Sequence, residues 1–272
     1  QTRPRYSVKT AMVDIHCHFL PSMDDGALDQ AESTAMLEIA ARCGTTDLVA
    51  TPHADTEYSY DPEAVEAALS AARGRAPEGL KLYRGCDFHL MHDNVREALA
   101  EPGRYTINGG RYLLVEFSDL VIFENTGEVF ELLERAGMTV IVTHPERNPL
   151  LRQRIELLAE WVEAGRLMQL TAGSLLGMWG RKAQDFSRLM LDRGLAHFVA
   201  SDGHDARARQ PRLDQGRDWL VRHKSPELAQ LLTETHPRAV INNRPIDLSG
   251  FPPRPPGKKT WFGRLFRRSR AD

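Results

Sequence analysis

Seven short apolar runs recur along the chain, and their starts lie about 26 to 35 residues apart. This interval is the length of one strand followed by one helix. The runs are apolar throughout instead of alternating with polar residues, as is typical of parallel strands that helices cover on both faces. The predicted strands are residues 12–16, 47–51, 80–86, 112–117, 138–143, 167–171 and 196–201.

The segments between the runs have the composition of amphipathic helices. Residues 29–43, 125–137 and 150–165 each combine apolar and polar sides and are followed or ended by a glycine, as helix C-termini often are. Seven strand–helix units predict an α/β fold closed, or nearly closed, into a barrel. An open, doubly wound sheet is the alternative. Neither GxGxxG nor a P-loop motif follows any run, so a nucleotide-phosphate site is not expected.

The formal charge of −2 is unevenly distributed along the 272 residues. Residues 251–272 contain seven Arg and Lys and one Asp, a local charge of +6, so the other 250 residues account for −8. We expect residues 1–11 to be an N-terminal extension or cloning remnant, residues 12–250 a barrel domain, and residues 251–272 a Pro-rich, basic, disordered tail.

The composition of the tail and the spacing of the cysteines indicate which partners and which location to expect. A Pro-rich, basic terminus is more often a plain solubilising tail; weak contact with an anionic membrane is the alternative, because arginines interleave with aromatic residues in this tail. Because the rest of the chain is acidic, nucleic acid is not an expected partner. The three cysteines form no CxxC pair, and there is no signal peptide or spanning segment, so we expect a cytoplasmic protein, peripheral at the inner membrane face if the tail binds lipid.

Histidines and carboxylates follow the predicted strands. The first strand ends in Asp14-Ile15-His16-Cys17-His18, and residues i and i+2 of an extended chain point the same way. This pair alone is weak evidence, but six of the seven strands end in His, Asp or Glu, where barrel enzymes place their active sites. The candidate metal ligands are His16, His18, Asp25, His53, Asp87, Glu116, His144, Asp202 and His204.

Imidazole and carboxylate ligands suit Zn²⁺, Mn²⁺ or Fe²⁺. Nine ligands are too many for one ion, so we expect two or three divalent ions, with Asp87 or Glu116 bridging neighbours. Such clusters generate hydroxide near neutral pH. Asp24 is an alternative to Asp25. The other histidines are expected to be structural or at the surface, with His89 the most plausible exception.

Two arginines point to the substrate. Arg147 lies three residues after His144, and Arg209 follows His204. A guanidinium binds phosphate oxygens bidentately and stays charged, so two of them beside a metal cluster favour a phosphate ester, although either alone fits a surface ion pair. A cysteine-based phosphatase needs an arginine six residues after its cysteine. Those positions after Cys17, Cys43 and Cys86 hold Met23, Val49 and His92.

Five motifs together resemble one family. They are DIHCHFLPSMDDG at 14–26, TPH at 51–53, VEF at 115–117, HPER at 144–147 and SDGH at 201–204. They resemble the polymerase-and-histidinol-phosphatase (PHP) superfamily, and within it the bacterial manganese-dependent protein-tyrosine phosphatases of capsule and exopolysaccharide operons. The resemblance runs from about Met12 to about Pro245.

The resemblance implies a distorted (β/α)7 TIM-like barrel of the PHP type that holds three metal ions, with Mn²⁺ expected and Fe or Zn as alternatives. It implies one ion on His16, His18, Asp202 and Asp87, a second on Asp87, Glu116 and His144, and a third on Asp25, His53 and His204. Arg147 and Arg209 would grip the phosphoryl group, and Asp14 would orient a ligand histidine. Asp87 departs from the family, which usually has Glu there.

The expected activity is hydrolysis of phosphotyrosine on a protein, a capsule or exopolysaccharide tyrosine autokinase, by attack of a metal-bridging hydroxide. A small-molecule phosphomonoesterase such as a histidinol phosphatase is the alternative on the same scaffold. A metal-dependent amidohydrolase is a second alternative, although such enzymes usually carry a lysine on the fourth strand, where this chain has Glu116. A binding module with a degenerate barrel is a third. The oligomeric state stays open.

Overall fold

Two parallel sheets form the centre of the protein, whose computed structural model describes residues 11–249 and residue 251. The first sheet has the order β1-β2-β4 and the second the order β3-β5-β6-β7-β8-β9. The strands are β1 (Met12–Cys17), β2 (Thr45–Ala50), β3 (His53–Ala54), β4 (Lys81–Arg84), β5 (Asp87–His89), β6 (Tyr112–Glu116), β7 (Thr139–Thr143), β8 (Leu167–Thr171) and β9 (Phe198–Ala200).

The chain passes twice from the first sheet to the second without an intervening helix. Two residues separate β2 from β3, and Gly85 and Cys86 separate β4 from β5. The strand predicted over 80–86 corresponds to β4, which ends at Arg84, and the separate strand β5 was not predicted. A Cβ on Gly85 would lie 2.7 Å from Val49 Cγ1, so this crossing requires glycine. Backbone hydrogen bonds continue across the break, from Gly85 to Ala50 (2.8 Å) and from Asp87 to Pro52 (3.1 Å).

The first and last strands also meet. The amide of Asp202, just after β9, donates to the carbonyl of His16 (2.9 Å), and the amide of His18 donates to the carbonyl of Gly203 (2.8 Å). Cys17 and Gly203 form an isolated parallel bridge. The ends of β1 and β9 are thereby held beside one another.

Helices follow most of the strands, and three of the predicted helices correspond to α1, α4 and α5. The helices are α1 (Gln30–Arg42), α2 (Pro62–Arg73), α3 (His92–Ala100), α4 (Thr126–Arg135), α5 (Ile155–Glu163), α6 (Ala172–Leu175), α7 (Gly180–Asp192), α8 (Leu213–His223), α9 (Pro226–Gln230) and α10 (His236–Ile241). A π-helical turn over Leu231–Thr235 joins α9 to α10. Pro237 lies in the first turn of α10, where its missing N–H is tolerated.

Strands of both sheets contribute to one apolar cluster, which α10 helps to cover. Its buried members include Val13, Val49, Leu114, Ile141, Phe198 and Val240. A larger cluster packs the helices against the outer faces of the strands. Shared burial of this kind fixes the positions of the strand ends relative to one another.

The chain ends fall outside the described residues. The predicted N-terminal extension lies outside them except for Ala11, and the predicted tail lies outside them except for Phe251. The Phe251 ring stacks on His197 and His236, at 5.1 and 5.6 Å between centroids. Among the helices of the described part, none combines the length and the apolar character needed to cross a membrane.

Replacing Phe130 in α4 tests the helix-packing core. Its ring is fully buried and meets Phe117 and Trp161 edge-on, at 6.0 and 5.1 Å between centroids. We expect Phe130→Ala to lower the free energy of unfolding by about 3–5 kcal/mol, since it leaves a cavity in this core. Leu132→Ala, on the exposed side of the same helix, should cost less than about 1 kcal/mol. Equal losses in urea titrations of the two variants would contradict this packing.

Candidate metal centre

All nine candidate ligands lie together, on the parts of the chain that end or follow β1, β2, β4, β6, β7 and β9. His16 and His18 are at the end of β1, His53 begins β3, Asp87 begins β5, Glu116 ends β6, His144 follows β7, Asp202 and His204 follow β9, and Asp25 lies in the loop after β1. Most of them line a cavity of about 570 Å³. The strand ends therefore deliver imidazoles and carboxylates to one place, as their positions in the sequence predict.

Four groups of these residues could each hold a cation, since their donor atoms lie within 4.8 Å of one another. The groups are His18, Asp25, His53 and His204; His16, His18 and Asp87; His16, His144 and Asp202; and His53, Asp87 and Glu116. This grouping differs from the one the resemblance implies. His53 belongs to two groups because its Nε2 lies 3.3 Å from Asp25 Oδ1 and its Nδ1 lies 3.4 Å from Glu116 Oε2.

The arrangement fits a metal cluster. The Nε2 atoms of His16 and His18 face each other at 3.1 Å, so without a shared proton their lone pairs repel. Asp87 Oδ2 is buried without a hydrogen-bond donor among the described residues and lies 3.3 Å from His16 Nε2. A cation between these atoms removes both conflicts. The nitrogen and oxygen donor set suits Mn²⁺, Fe²⁺ or Zn²⁺.

The side chains of this cluster also have perturbed pKa values. Burial opposes a charge on His16, but the carboxylates of Asp87 and Asp202 outweigh it and raise the pKa of His16 to about 9. Burial and the neighbouring His204 lower the pKa of His18 to about 4. Burial also opposes ionisation of Asp87, yet nearby imidazoles hold the pKa of its carboxyl well below the usual range. At neutral pH the carboxylate is ionised and His18 is neutral, which are the forms that bind metals, whereas His16 must release a proton to bind one.

Asp24 and Asp25 have different surroundings. Asp24 Oδ2 accepts a hydrogen bond from His18 Nδ1 (2.6 Å) and from the amide of His53 (3.1 Å). Asp25 Oδ1 lies 3.3 Å from both His53 Nε2 and His204 Nε2. The geometry supports Asp25 as the candidate ligand, with Asp24 orienting the His18 ring from behind.

The expected contact between Asp14 and a ligand imidazole is absent from the described structure. Asp14 Oδ1 instead accepts from the amide of Ser201 (3.0 Å) and weakly from that of His16 (3.4 Å). Asp14 therefore fixes the backbone where β1 meets the end of β9. The partner of the His16 ring is Gln169 on β8, whose Oε1 lies 2.8 Å from Nδ1. A lone Gln in an apolar strand gave no sequence signal for this contact.

The short side chain of Asp87 occupies the middle of the cluster. Its Oδ2 lies 3.5 Å from His53 Nδ1 and 3.9 Å from His144 Nε2, besides its contact with His16. Thr143 Oγ1 donates a long hydrogen bond to the other oxygen (3.4 Å). The carboxylate therefore faces three imidazoles from three strands, which is the position of a bridging ligand.

Two candidate ligands have strained backbones. His144 and Asp202 have φ values of 29° and 53°, in the region that side chains other than glycine disfavour. His144 directly follows β7 and Asp202 lies two residues after β9, and both side chains belong to the cluster. Strain of this kind persists where the surrounding contacts determine the conformation, and it concentrates at functional sites.

Both predicted phosphate-binding arginines lie at the mouth of this cavity. Arg147 Nη1 and Arg209 Nη2 (3.1 Å) donate to the same oxygen of Asp202. Both guanidiniums lie over the indole ring of Trp179, with their Cζ atoms 3.9 and 5.0 Å from its centroid. Trp179 has no signal in the sequence, because a single aromatic residue in the loop before α7 belongs to none of the motifs.

The remaining histidines lie in three kinds of location. His89 lines the same cavity, and its Nδ1 lies 3.8 Å from Glu116 Oε2, so it belongs to the surroundings of the site. His197 and His236 are buried away from it, and His236 Nδ1 lies 2.8 Å from the carbonyl of His197. His92 is exposed at the surface. These positions match the expectation that His89 is the exception.

Comparison with known proteins decides the family. Residues 12–242 match the model for capsular polysaccharide synthesis proteins CpsB/CapC. The chain belongs to this family. Tyrosine-protein phosphatase YwqE of Bacillus subtilis is 34% identical over 256 residues, which cover 93% of this chain and 99% of YwqE. The putative tyrosine-protein phosphatase CapC of Staphylococcus aureus is 36% identical over 259 residues, which cover 93% of this chain and 100% of CapC.

The solved structures agree with the sequences. A crystal structure from a study of YwqE from Bacillus subtilis and CpsB from Streptococcus pneumoniae, described as unique metal-dependent tyrosine phosphatases, matches with a TM-score of 0.81 and 33% identity. The match covers 87% of this chain and 96% of that chain. The resemblance to capsule-operon tyrosine phosphatases that the motifs indicated is thereby confirmed.

Replacing Gly26 tests how the loop after β1 positions Asp25. A Cβ on Gly26 would lie 2.1 Å from the carbonyl oxygen of His18, so Gly26→Ala must displace this loop. We expect the variant to retain much less Mn²⁺ than the unsubstituted protein when both are dialysed against Mn²⁺ and their metal content is measured by elemental analysis. Gly127→Ala is the control, because nothing lies within 4 Å of that position in α4. Full metal content in Gly26→Ala would show that the loop geometry is not required.

Proposed function

We propose that this protein hydrolyses phosphotyrosine on a protein substrate, with divalent ions held by the imidazole–carboxylate cluster. The observation that carries the proposal is the position of two guanidiniums beside nine candidate ligands at the mouth of one cavity. The CpsB/CapC relatives named as tyrosine-protein phosphatases support the same conclusion.

The proposed ligands are the nine residues of the cluster, with Mn²⁺ as the proposed ion. Asp87 is the proposed bridge, because its Oδ2 faces imidazoles from three strands. Ions at such a site supply deprotonated water near neutral pH and neutralise charge on the phosphoryl group. The role of the protein is to hold its carboxylates ionised and its imidazoles in fixed orientations, as Asp24 and Gln169 do for the rings of His18 and His16.

Arg147 and Arg209 are the proposed phosphoryl-binding groups. Both now donate to one oxygen of Asp202, the only acid that contacts both of them in the described structure. If Asp202 instead served as a ligand to a cation, the N–H groups of both arginines would be free to donate to oxygens of a substrate. Two planar guanidiniums then stabilise the charge that spreads over the phosphoryl oxygens during transfer.

Phosphotyrosine is the proposed substrate class rather than an alkyl phosphate. A phenol has a pKa near 10, so its oxygen leaves with less help from an acid than an aliphatic alcohol requires. No general acid is therefore assigned among the residues of the site. A small-molecule phosphomonoesterase such as a histidinol phosphatase is the alternative, and the named activities of the relatives do not favour it.

Three finer points belong to the same proposal. Hydrogen bonds between β1 and the segment after β9 support closure of the two sheets into a (β/α)7 barrel. The family description, capsular polysaccharide synthesis, supports a capsule or exopolysaccharide tyrosine autokinase as the phosphorylated partner. A cytoplasmic location, with the basic tail touching anionic lipid at the inner membrane face, would bring the two together.

Removing His144 or Arg147 tests the catalytic assignment. We expect His144→Ala and Arg147→Ala each to lower kcat for a phosphotyrosine peptide by about a hundredfold or more, since each removes a group that acts on the transferring phosphoryl. Arg181→Ala is the control, because its side chain is about nine-tenths exposed, and should retain activity. Wild-type turnover by either purified site variant would refute the assignment.

Trp179 offers a separate test of how the arginines are held. Replacing its indole by leucine removes the ring face under both guanidiniums, and we expect Trp179→Leu to lower kcat/KM for the peptide by about tenfold. Trp179→Phe keeps an aromatic face and should retain most of the activity. If both variants lost kcat/KM equally at matched metal content, Trp179 would not act through the aromatic face of its ring.

A further inference from the structure

Exposed apolar side chains concentrate on one side of the cavity mouth. The loop between β6 and α4 exposes Leu120 and Phe123 to 90% and 62%, and Val121 lies between them. Leu99 of α3 and Leu132 of α4 continue the patch. These five residues are half of the ten large hydrophobic side chains that are exposed in the described part of the chain. We call this surface the apolar groove and define it by Leu90, Met91, Val95, Leu99, Leu120, Val121, Phe123, Val129 and Leu132.

The apolar groove is continuous with the metal-centre cavity. A cavity of about 610 Å³ beside the loop is lined partly by His89 and Phe117, which also line the metal-centre cavity. A third cavity, of about 570 Å³, lies between α3 and α4. It shares Leu90 and Phe123 with the cavity beside the loop. A chain bound at the metal centre can therefore continue along the groove.

Nothing in the packing of the fold accounts for these exposed residues. Leu120 and Phe123 lie mostly in water, so they contribute little to the apolar core and expose surface that association would bury. Single exposed hydrophobics are common on soluble proteins, but a contiguous patch marks an interaction site. Its position beside the proposed catalytic centre restricts which partner can use it.

We propose that the apolar groove binds apolar side chains that flank the phosphotyrosine in the protein substrate. This proposal rests on the proposed function, because it takes the phosphoryl group to lie at the metal centre. The phosphotyrosine would enter the cavity while neighbouring residues of the same extended segment cross the loop. Specificity for a protein segment, rather than for a free phosphate ester, would then come from this groove.

The charges around the groove restrict which peptide sequences can bind there. The exposed carboxylates of Glu57, Asp119 and Glu124 lie on the loop side of the groove. Among the described residues that line the groove, Arg96 is the one exposed Arg or Lys. Acidic flanking residues would be repelled by this rim. The favoured segment is therefore apolar and neutral or basic next to its phosphotyrosine.

The test compares two substitutions on three substrates. The double variant Leu120→Ser/Phe123→Ser removes the two most exposed side chains of the groove, and Leu189→Ser on α7 is the matched control outside it. The substrates are a phosphotyrosine peptide flanked by Leu and Phe, the same peptide flanked by Ser, and p-nitrophenyl phosphate. We expect the double variant to lose about tenfold in kcat/KM on the apolar peptide alone, mainly through KM, while the control matches the wild type.

Three results would overturn the groove proposal. They are an unchanged kcat/KM on the apolar peptide, an equal loss on all three substrates, and a loss that follows dissociation of a dimer in light scattering. The second would mean that the loop supports the catalytic centre, and the third that a second copy of the chain covers the groove.

A binding measurement separates this proposal from the proposed function. Fluorescence anisotropy with the unphosphorylated apolar peptide should show binding to the wild type that is weakened about tenfold in the double variant. If the metal-loaded wild type hydrolyses none of the three substrates, the proposed function fails. The anisotropy result then still decides whether the groove binds apolar segments.

Discussion

The close approach of buried carboxylates and imidazoles at the strand ends is the constraint on which the rest of the structure depends. Asp87 and Asp202 are almost fully buried, and the imidazole of His16 lies within 3.4 Å of both. Burial of ionised carboxylates costs several kcal/mol unless positive charge lies beside them. Imidazoles and guanidiniums supply that charge in the described structure, and divalent ions would supply more of it. The two sheets, their shared core and the strained turns serve to hold these groups in contact.

Asp202 connects the metal-binding and phosphate-binding parts of the site. One of its oxygens lies 3.4 Å from His16 Nε2, while the other accepts hydrogen bonds from Arg147 and Arg209. A cation at this cluster and the two arginines would therefore draw on the same carboxylate. Under the proposed function, loading of the cluster would release the arginines for the phosphoryl group and so couple metal binding to substrate binding.

The sequence contains enough to predict the strand ends and the residues they bring together, because the rhythm of apolar runs and the polar residues after them are local features. It does not contain a local signal for Gln169 or Trp179, whose partners come from distant strands and loops. The breaks at Gly85 and before His53 were also missed, since crossing between sheets depends on side chains of the neighbouring strand. Asp24 and Asp25 could be told apart only by the direction in which the loop turns.

The hydrogen bonds between His16 and Asp202, and between His18 and Gly203, join residues from opposite ends of the domain. Contacts this distant in sequence form late in folding, because the intervening chain must first be ordered. A nascent chain that still lacks β9 has most of the histidines but neither Asp202 nor His204. Such an intermediate has an incomplete candidate cation site, so the full donor set exists only after the chain has been made as far as His204.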